Sequence, residues 1–247
     1  MAAKPHTTYI EVVQLACQAV GHPKPFDVAS STDEAILRMG FYANQACNDM
    51  VYMWDWQELV LPASLTIIAD APGQVEKAFA LPADFRTFVD DTLWNSSTLL
   101  PAIGPVNPQD WQWLKVRQAL ITTRFMWRFR GGQFWIKSPP VEAQQMPYEY
   151  MTKNWAFDGD TDMPQDIMQK NSDYHLYPWN LIVLYTRAKW LKNEGYDDSA
   201  AMKDFKTAFD FETGSNFGAT ALSLVPGVGY PYITPERNLP DTGYGPP

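Results

Sequence analysis

The residues with most to offer chemically stand at 158–162, Asp-Gly-Asp-Thr-Asp, where hard oxygen ligands alternate as they do at the start of an EF-hand calcium loop. The pattern stops there. Met163 occupies the place that needs glycine, Pro164 follows, and Gln169 stands where the bidentate glutamate belongs, so a solvated surface loop is expected. His6, His22 and His175 are scattered, and none has a second His or Cys at ligand spacing. Asp90 and Asp91 are adjacent, and successive strand residues point to opposite faces, which rules them out as an acid/base pair. The chain contains no nucleophile elbow, phosphate loop or GxGxxG motif. Cys17 and Cys47 each fall inside a helical pattern and read as free, buried thiols. The expectation is a protein without enzymatic activity, metal or cofactor.

Cations are distributed less evenly than acids. The chain carries 28 Asp and Glu against 19 Lys and Arg, yet no acidic residue lies between Asp110 and Glu142, where Lys115, Arg117, Arg124, Arg128, Arg130 and Lys137 are found. Most of these sit on a hairpin over 124–138, turned at Gly131-Gly132, a pair that takes positive φ without steric cost. A two-residue turn sets Phe129 opposite Phe134 and Trp127 opposite Ile136 on one face. On the other, Arg130 faces Gln133 and Arg128 faces Trp135, with Arg128 placed against that indole. One face is dry and the other basic. The basic face reads as a docking surface, as a DNA-facing surface, or as an ordinary strand face in water. We take Arg124, Arg128, Arg130 and Lys137 as partner-binding candidates that meet acidic surface from a neighbouring subunit.

The elements that must carry this hairpin follow from periodicity. Thr7 or Thr8 caps a helix over about 8–20, and Ser31 with Glu34 has capping-box spacing for a second over 32–54 with an apolar stripe of Ile36, Met39, Ala43, Ala46, Met50 and Met53. Pro178 opens a third helix, over 178–194, apolar on almost every side and so expected in the middle of the fold. Gly195 stops it, and Asp197 or Asp198 caps a fourth over 198–213. Between them the period shortens to two. Residues 59–68 and 75–81 read as strands joined at Pro72-Gly73, with further strands at 88–94 and 148–155 and a short helix opened by Asn107-Pro108.

The fold class expected is α+β: a helical bundle core from 1–56 and 165–214, a mainly antiparallel β insertion with a short helix over 57–164, and an extended C-terminal tail over 215–247. That tail is rich in Pro, Gly and Tyr, has no period, and is expected to be structured only on other chains, with Leu224, Tyr230, Tyr232 and Ile233 as candidate contacts. At 46% hydrophobic residues the chain can build a core, and no apolar run is long enough for a membrane span or a signal peptide. The net charge of -9 opposes simple phosphate-backbone binding but not the passage of DNA. Ten tryptophans and twenty prolines favour broad contact surfaces.

Five segments together resemble the head-to-tail adaptor (connector, neck) proteins of tailed bacteriophages. They are LPADF at 81–85, TLWN at 92–95, the GGxFxI hairpin leading to Pro139-Pro140, YEYMTKNW at 148–155, and the apolar helix from Pro178. The resemblance runs through most of the chain and rests on the order and spacing of these segments. It implies a structural virion protein that forms a dodecameric ring between portal and tail and lines the channel for genome passage. The implied partners are further copies of the chain, the portal protein, a downstream neck or tail protein and double-stranded DNA in transit, with no membrane. The implied location is the neck of the virion, after assembly in the host cytoplasm. Two other classes compete: a receptor- or carbohydrate-binding virion protein, whose exposed tryptophans stack on sugars, and a tail-associated hydrolase, which needs a catalytic acid or nucleophile in a cleft.

Overall fold

The computed structural model describes residues 7–116 and 124–216. In chain order the elements are α1 (Tyr9–Ala19), α2 (Glu34–Met53), β1 (Val60–Ile67), β2 (Glu76–Phe79), β3 (Phe85–Phe88), β4 (Trp94–Asn95), β5 (Leu100–Pro101), α3 (Pro108–Val116), β6 (Met126–Arg130), β7 (Gln133–Lys137), β8 (Gln144–Thr152), β9 (Ala156–Phe157), β10 (Pro164–Gln165), β11 (Tyr174–His175), α4 (Trp179–Asn193) and α5 (Ser199–Asn216).

The helices stop and start for local reasons. The Thr8 N–H donates to Glu11 Oε2 at 2.8 Å, which holds the first turn of α1. At α2 the cap is Asp33, whose carboxylate accepts the Ala35 N–H, and not Ser31; the Ser31 hydroxyl accepts the Asp33 N–H one step earlier. Gly195, at φ +80°, ends α4, and the Asp197 carboxylate accepts the Ser199 N–H to start α5.

A helical bundle as the core of the fold is not what is found. Among the described residues there are five α-helices and eleven strands, and the strands form four small antiparallel sheets. The core around α4 takes in Val12, Val13, Met39, Met50, Leu181, Ile182 and Phe205 from the α-helices, but equally Trp56, Leu59, Trp155, Ala156, Met168 and Tyr177 from chain outside them. The physical reason lies in α4. A helix apolar all round must be covered on every side, and α1, α2 and α5 do not suffice, so strand ends and loops complete the shell. A second core is formed by Ile67, Phe88, Trp127, Phe134, Ile136, Met146, Tyr148 and Tyr150 from the strands, with Leu93 just ahead of β4. The extended C-terminal tail lies outside the described residues.

Sheet pairing also departs from expectation. Strands β1 and β2 are not partners across Pro72-Gly73. β1 pairs with β8 in the order β1-β8-β3, and β2 pairs with β7 in the order β2-β7-β6. Pro62 explains why β1 is an edge, since it has no N–H for a second neighbour. Beyond β1, Ala69 N–H donates to Pro140 O and Ser138 N–H to Val75 O, which steers the chain onto β7. The 88–94 stretch is split between the end of β3 and the start of β4. Two of the resemblance segments meet at Asp84, which accepts from Tyr150 Oη at 3.1 Å and Thr152 Oγ1 at 2.7 Å.

Candidate anion-binding face

The hairpin register is the one the turn and alternation predict: Trp127 opposite Ile136, Arg128 opposite Trp135, Phe129 opposite Phe134, Arg130 opposite Gln133. Gly131 and Gly132, at φ +57° and +70°, make the turn. Trp127, Phe134 and Ile136 are buried in the second core, so the opposite face must carry Arg128, Arg130, Trp135 and Lys137. β2 extends that face with Glu76, directly opposite Lys137.

Helix α3 covers it. Asn107 Oδ1 accepts the Asp110 N–H at 2.7 Å and starts the helix, which buries Trp111 and Leu114. Trp111 Nε1 donates to Glu76 Oε2 at 2.8 Å, and Lys115 Nζ sits 2.7 Å from Glu76 Oε1. Arg130 reaches the same oxygen at 3.6 Å. Burial pushes the Glu76 carboxyl up, but the Lys115 and Trp111 hydrogen bonds and the neighbouring positive charges outweigh it and hold the group below the ordinary glutamate range. Burial pulls the Lys137 ammonium down; Glu76 opposes this and Lys115 adds to it, and the net shift is downward.

The aromatic partners differ from those expected. Arg130, not Arg128, stacks on Trp135, at 3.7 Å from the ring centroid, and Arg128 lies over Trp111 at 5.6 Å. Trp135 Nε1 donates to Arg130 O at 3.1 Å, which turns the indole toward Arg130, while α3 brings Trp111 over Arg128. Arg124 is exposed ahead of β6. The structure therefore gathers Arg128, Arg130 and Lys137 on one face. Leu224, Tyr230, Tyr232 and Ile233 lie outside the described residues. Sequence reasoning missed Glu76, Trp111 and the position of Lys115. The β2–β7 pairing that would have revealed Glu76 was hidden by the assumption that β1 and β2 are partners.

Elsewhere the chemistry is self-contained. Lys170 Nζ bridges Asp158 and Asp160 at 2.8 Å each, so an ammonium sits where the calcium reading places a cation, and the Lys170 and backbone hydrogen bonds hold Asp158 down at about 2. Among the described residues no group of three His, Cys, Asp or Glu is placed to hold a metal ion. Cys17 and Cys47 are free and buried, and burial raises both thiols. An open cleft of about 680 Å³ lies between the ends of α1, α2 and α4, lined by His22, Arg38, Trp190 and Tyr196 among others. Its Arg38 is already paired with Glu34 at 2.5 Å and with Glu194 at 3.2 Å. Among the described residues no helix is long and apolar enough to cross a membrane. Protein-family models and curated proteins contain no match to the chain.

Proposed function

We propose that this chain is a structural virion protein, a head-to-tail adaptor that assembles as a dodecameric ring between portal and tail and surrounds the channel through which the genome passes. Its partners are its own copies, the portal, the next neck or tail protein and DNA in transit, and no turnover is part of its task.

The observation that carries the reading is a set of large apolar side chains exposed among the described residues. Leu37, Phe41 and Tyr52 share one face of α2 at 48, 63 and 71% exposure. Trp113, Trp179 and Phe211 are exposed on other helices, and Phe26 and Tyr196 in loops. Large aromatic side chains left in water on several elements favour extensive contact with other protein, since burying them is the main gain available to an interface. A ring built from identical subunits needs two different, complementary patches on each. The α2 stripe and the cationic face of β6 and β7 supply an apolar and a charged candidate. The resemblance carried by the five ordered segments supplies the particular ring.

The test is imaging of the neck of the assembled particle. The expected result is a closed ring of this chain in contact with the portal. Recovery of the chain at fibre tips, or its absence from purified particles, overturns the reading. A receptor- or carbohydrate-binding protein instead works as a small free oligomer, which mass measurement in solution separates from a ring former.

A further inference from the structure

The cleft of about 680 Å³ between the ends of α1, α2 and α4 is lined by rings and edged by acids. Trp190 forms one wall, with the His22 ring set edge-on to it at 5.1 Å, and Tyr196 lines the same cleft at 67% exposure. Val20, Ala35 and Leu191 add aliphatic surface. Glu34 and Glu194 share a single guanidinium, that of Arg38, so the lining keeps one negative charge in excess. A groove of this kind suits an extended segment that carries prolines and a cation. Proline rings pack on aromatic side chains and lose little freedom in doing so, and the cation completes the charge balance.

The chain carries one segment of that description. Residues 231–240 read Pro-Tyr-Ile-Thr-Pro-Glu-Arg-Asn-Leu-Pro, and Arg237 is the only Lys or Arg after Lys206. We propose that the cleft is a docking site for residues 231–240 of a second copy of this chain, with prolines against Trp190 and Tyr196 and Arg237 against Glu34 and Glu194. In polyproline geometry, at three residues per turn, Arg237 can point into the cleft while the adjacent Glu236 points elsewhere.

The placement of site and segment argues for a second copy. Tyr185 stacks on Phe205 and Arg187 pairs with Asp204 at 3.8 Å, so α5 runs antiparallel to α4. The C-terminal end of α4 lines the cleft, and α5, 18 residues or about 27 Å long, leads away from it. The chain thus leaves α5 at Asn216, at the far end of the helices from the cleft. A site at one end with its ligand departing from the other makes a heterologous contact, which joins copies in one direction and can close them into a ring. The stretch from Asn216 to Arg237 spans up to about 70 Å when extended, ample to reach a neighbour. The inference rests on the adaptor reading only in needing copies to meet.

Sedimentation velocity of the full chain tests it, with the Tyr196→Ala and Arg237→Glu variants and a synthetic peptide of residues 231–240 as probe. The wild type is expected to associate with rising concentration, and each variant should need at least ~10-fold more protein for the same degree of association. An equal mixture of the two variants should form dimers that neither forms alone, because one keeps the cleft and the other keeps the segment. The peptide should bind the wild type, suppress its association, and bind Tyr196→Ala at least ~10-fold more weakly. Both substitutions lie outside the core and should leave the melting of the dilute monomer unchanged. A wild type that stays monomeric, or an Arg237→Glu monomer that melts earlier, assigns the segment to its own subunit and overturns the proposal. Variants that associate normally, a mixture without dimers, or a peptide that binds no copy of this chain overturn it too. Neck imaging that places the chain elsewhere sinks the adaptor reading alone. Equal binding of the peptide by wild type and Tyr196→Ala sinks this inference alone.

Discussion

The β6–β7 hairpin and the segment 156–177 are both short and both lie against a core, but they are held by opposite means. The hairpin is fastened by rings. Trp127, Phe129 and Phe134 pack on one face with centroids 5.0 to 5.5 Å apart, and the backbone ladder only sets which ring meets which. The segment has three strands of two residues each, and polar side chains do the fastening. Buried Asp173 accepts from Gly159, Gln169 and Lys170 N–H and from Gln165 Nε2. Asn44 on α2 both donates to Met168 O and accepts from Met168 N–H, and Asn171 Oδ1 accepts from Val28 and Ala29 N–H. Chain without regular structure can enter a core if a few side chains satisfy its orphaned amides.

If the contrast is sound, the largest single loss in the hairpin is a ring. Trp127→Ala should cost about 4 kcal/mol in urea unfolding, and a loss under ~1 kcal/mol would show that the rings are not what holds it. The segment should fail at a carboxylate. Asp173→Ala leaves four donors without their acceptor and is expected to cost about 3 kcal/mol, measured in the same way.

The same residue gives the contrast a pH signature. Burial pushes the Asp173 carboxyl up, but its hydrogen bonds from Lys170, Gln169, Gln165 and Gly159 prevail and hold it below the ordinary aspartate range. Its contribution is therefore present in full above that range and is lost as pH falls through the lowered folded value. The stability gap between wild type and Asp173→Ala should narrow as the solution is acidified, while the gap for Trp127→Ala shows no such narrowing. Parallel curves for the two variants would break the comparison. The smallest expected effect is at the turn: Gly131→Ala places a side chain at φ +57° and should cost about 1 kcal/mol, read as a shift in the urea midpoint.

The hairpin was legible because its information is periodic. Alternation, a Gly-Gly turn and one register in which all large rings share a face leave a single solution, and the fold adopts it. The α4 core was only half legible. An all-round apolar helix says that it is buried, but not by what, and Met168 and Tyr177 come from stretches with no period to announce them. Asp173 and Asn44 are harder still, since a carboxylate that collects backbone N–H groups looks, in sequence, like any solvated one. For the cationic face, the hairpin's arginines and Lys137 were visible. Glu76 was not, because its partner strand lies far along the chain and nothing local declares the pairing.

That remote pairing sets an order of events on the ribosome. β1 is complete at Ile67, yet it can pair only when β8 emerges, and α1 and α2 must wait for α4, with everything between Met53 and Trp179 synthesised first. For that interval the nascent chain carries the apolar stripe of α2 and an unpaired edge at β1, while β6 and β7 can close on each other as soon as they appear. The chain should therefore be a chaperone client during synthesis and slow to refold from denaturant, with the hairpin as its earliest native part.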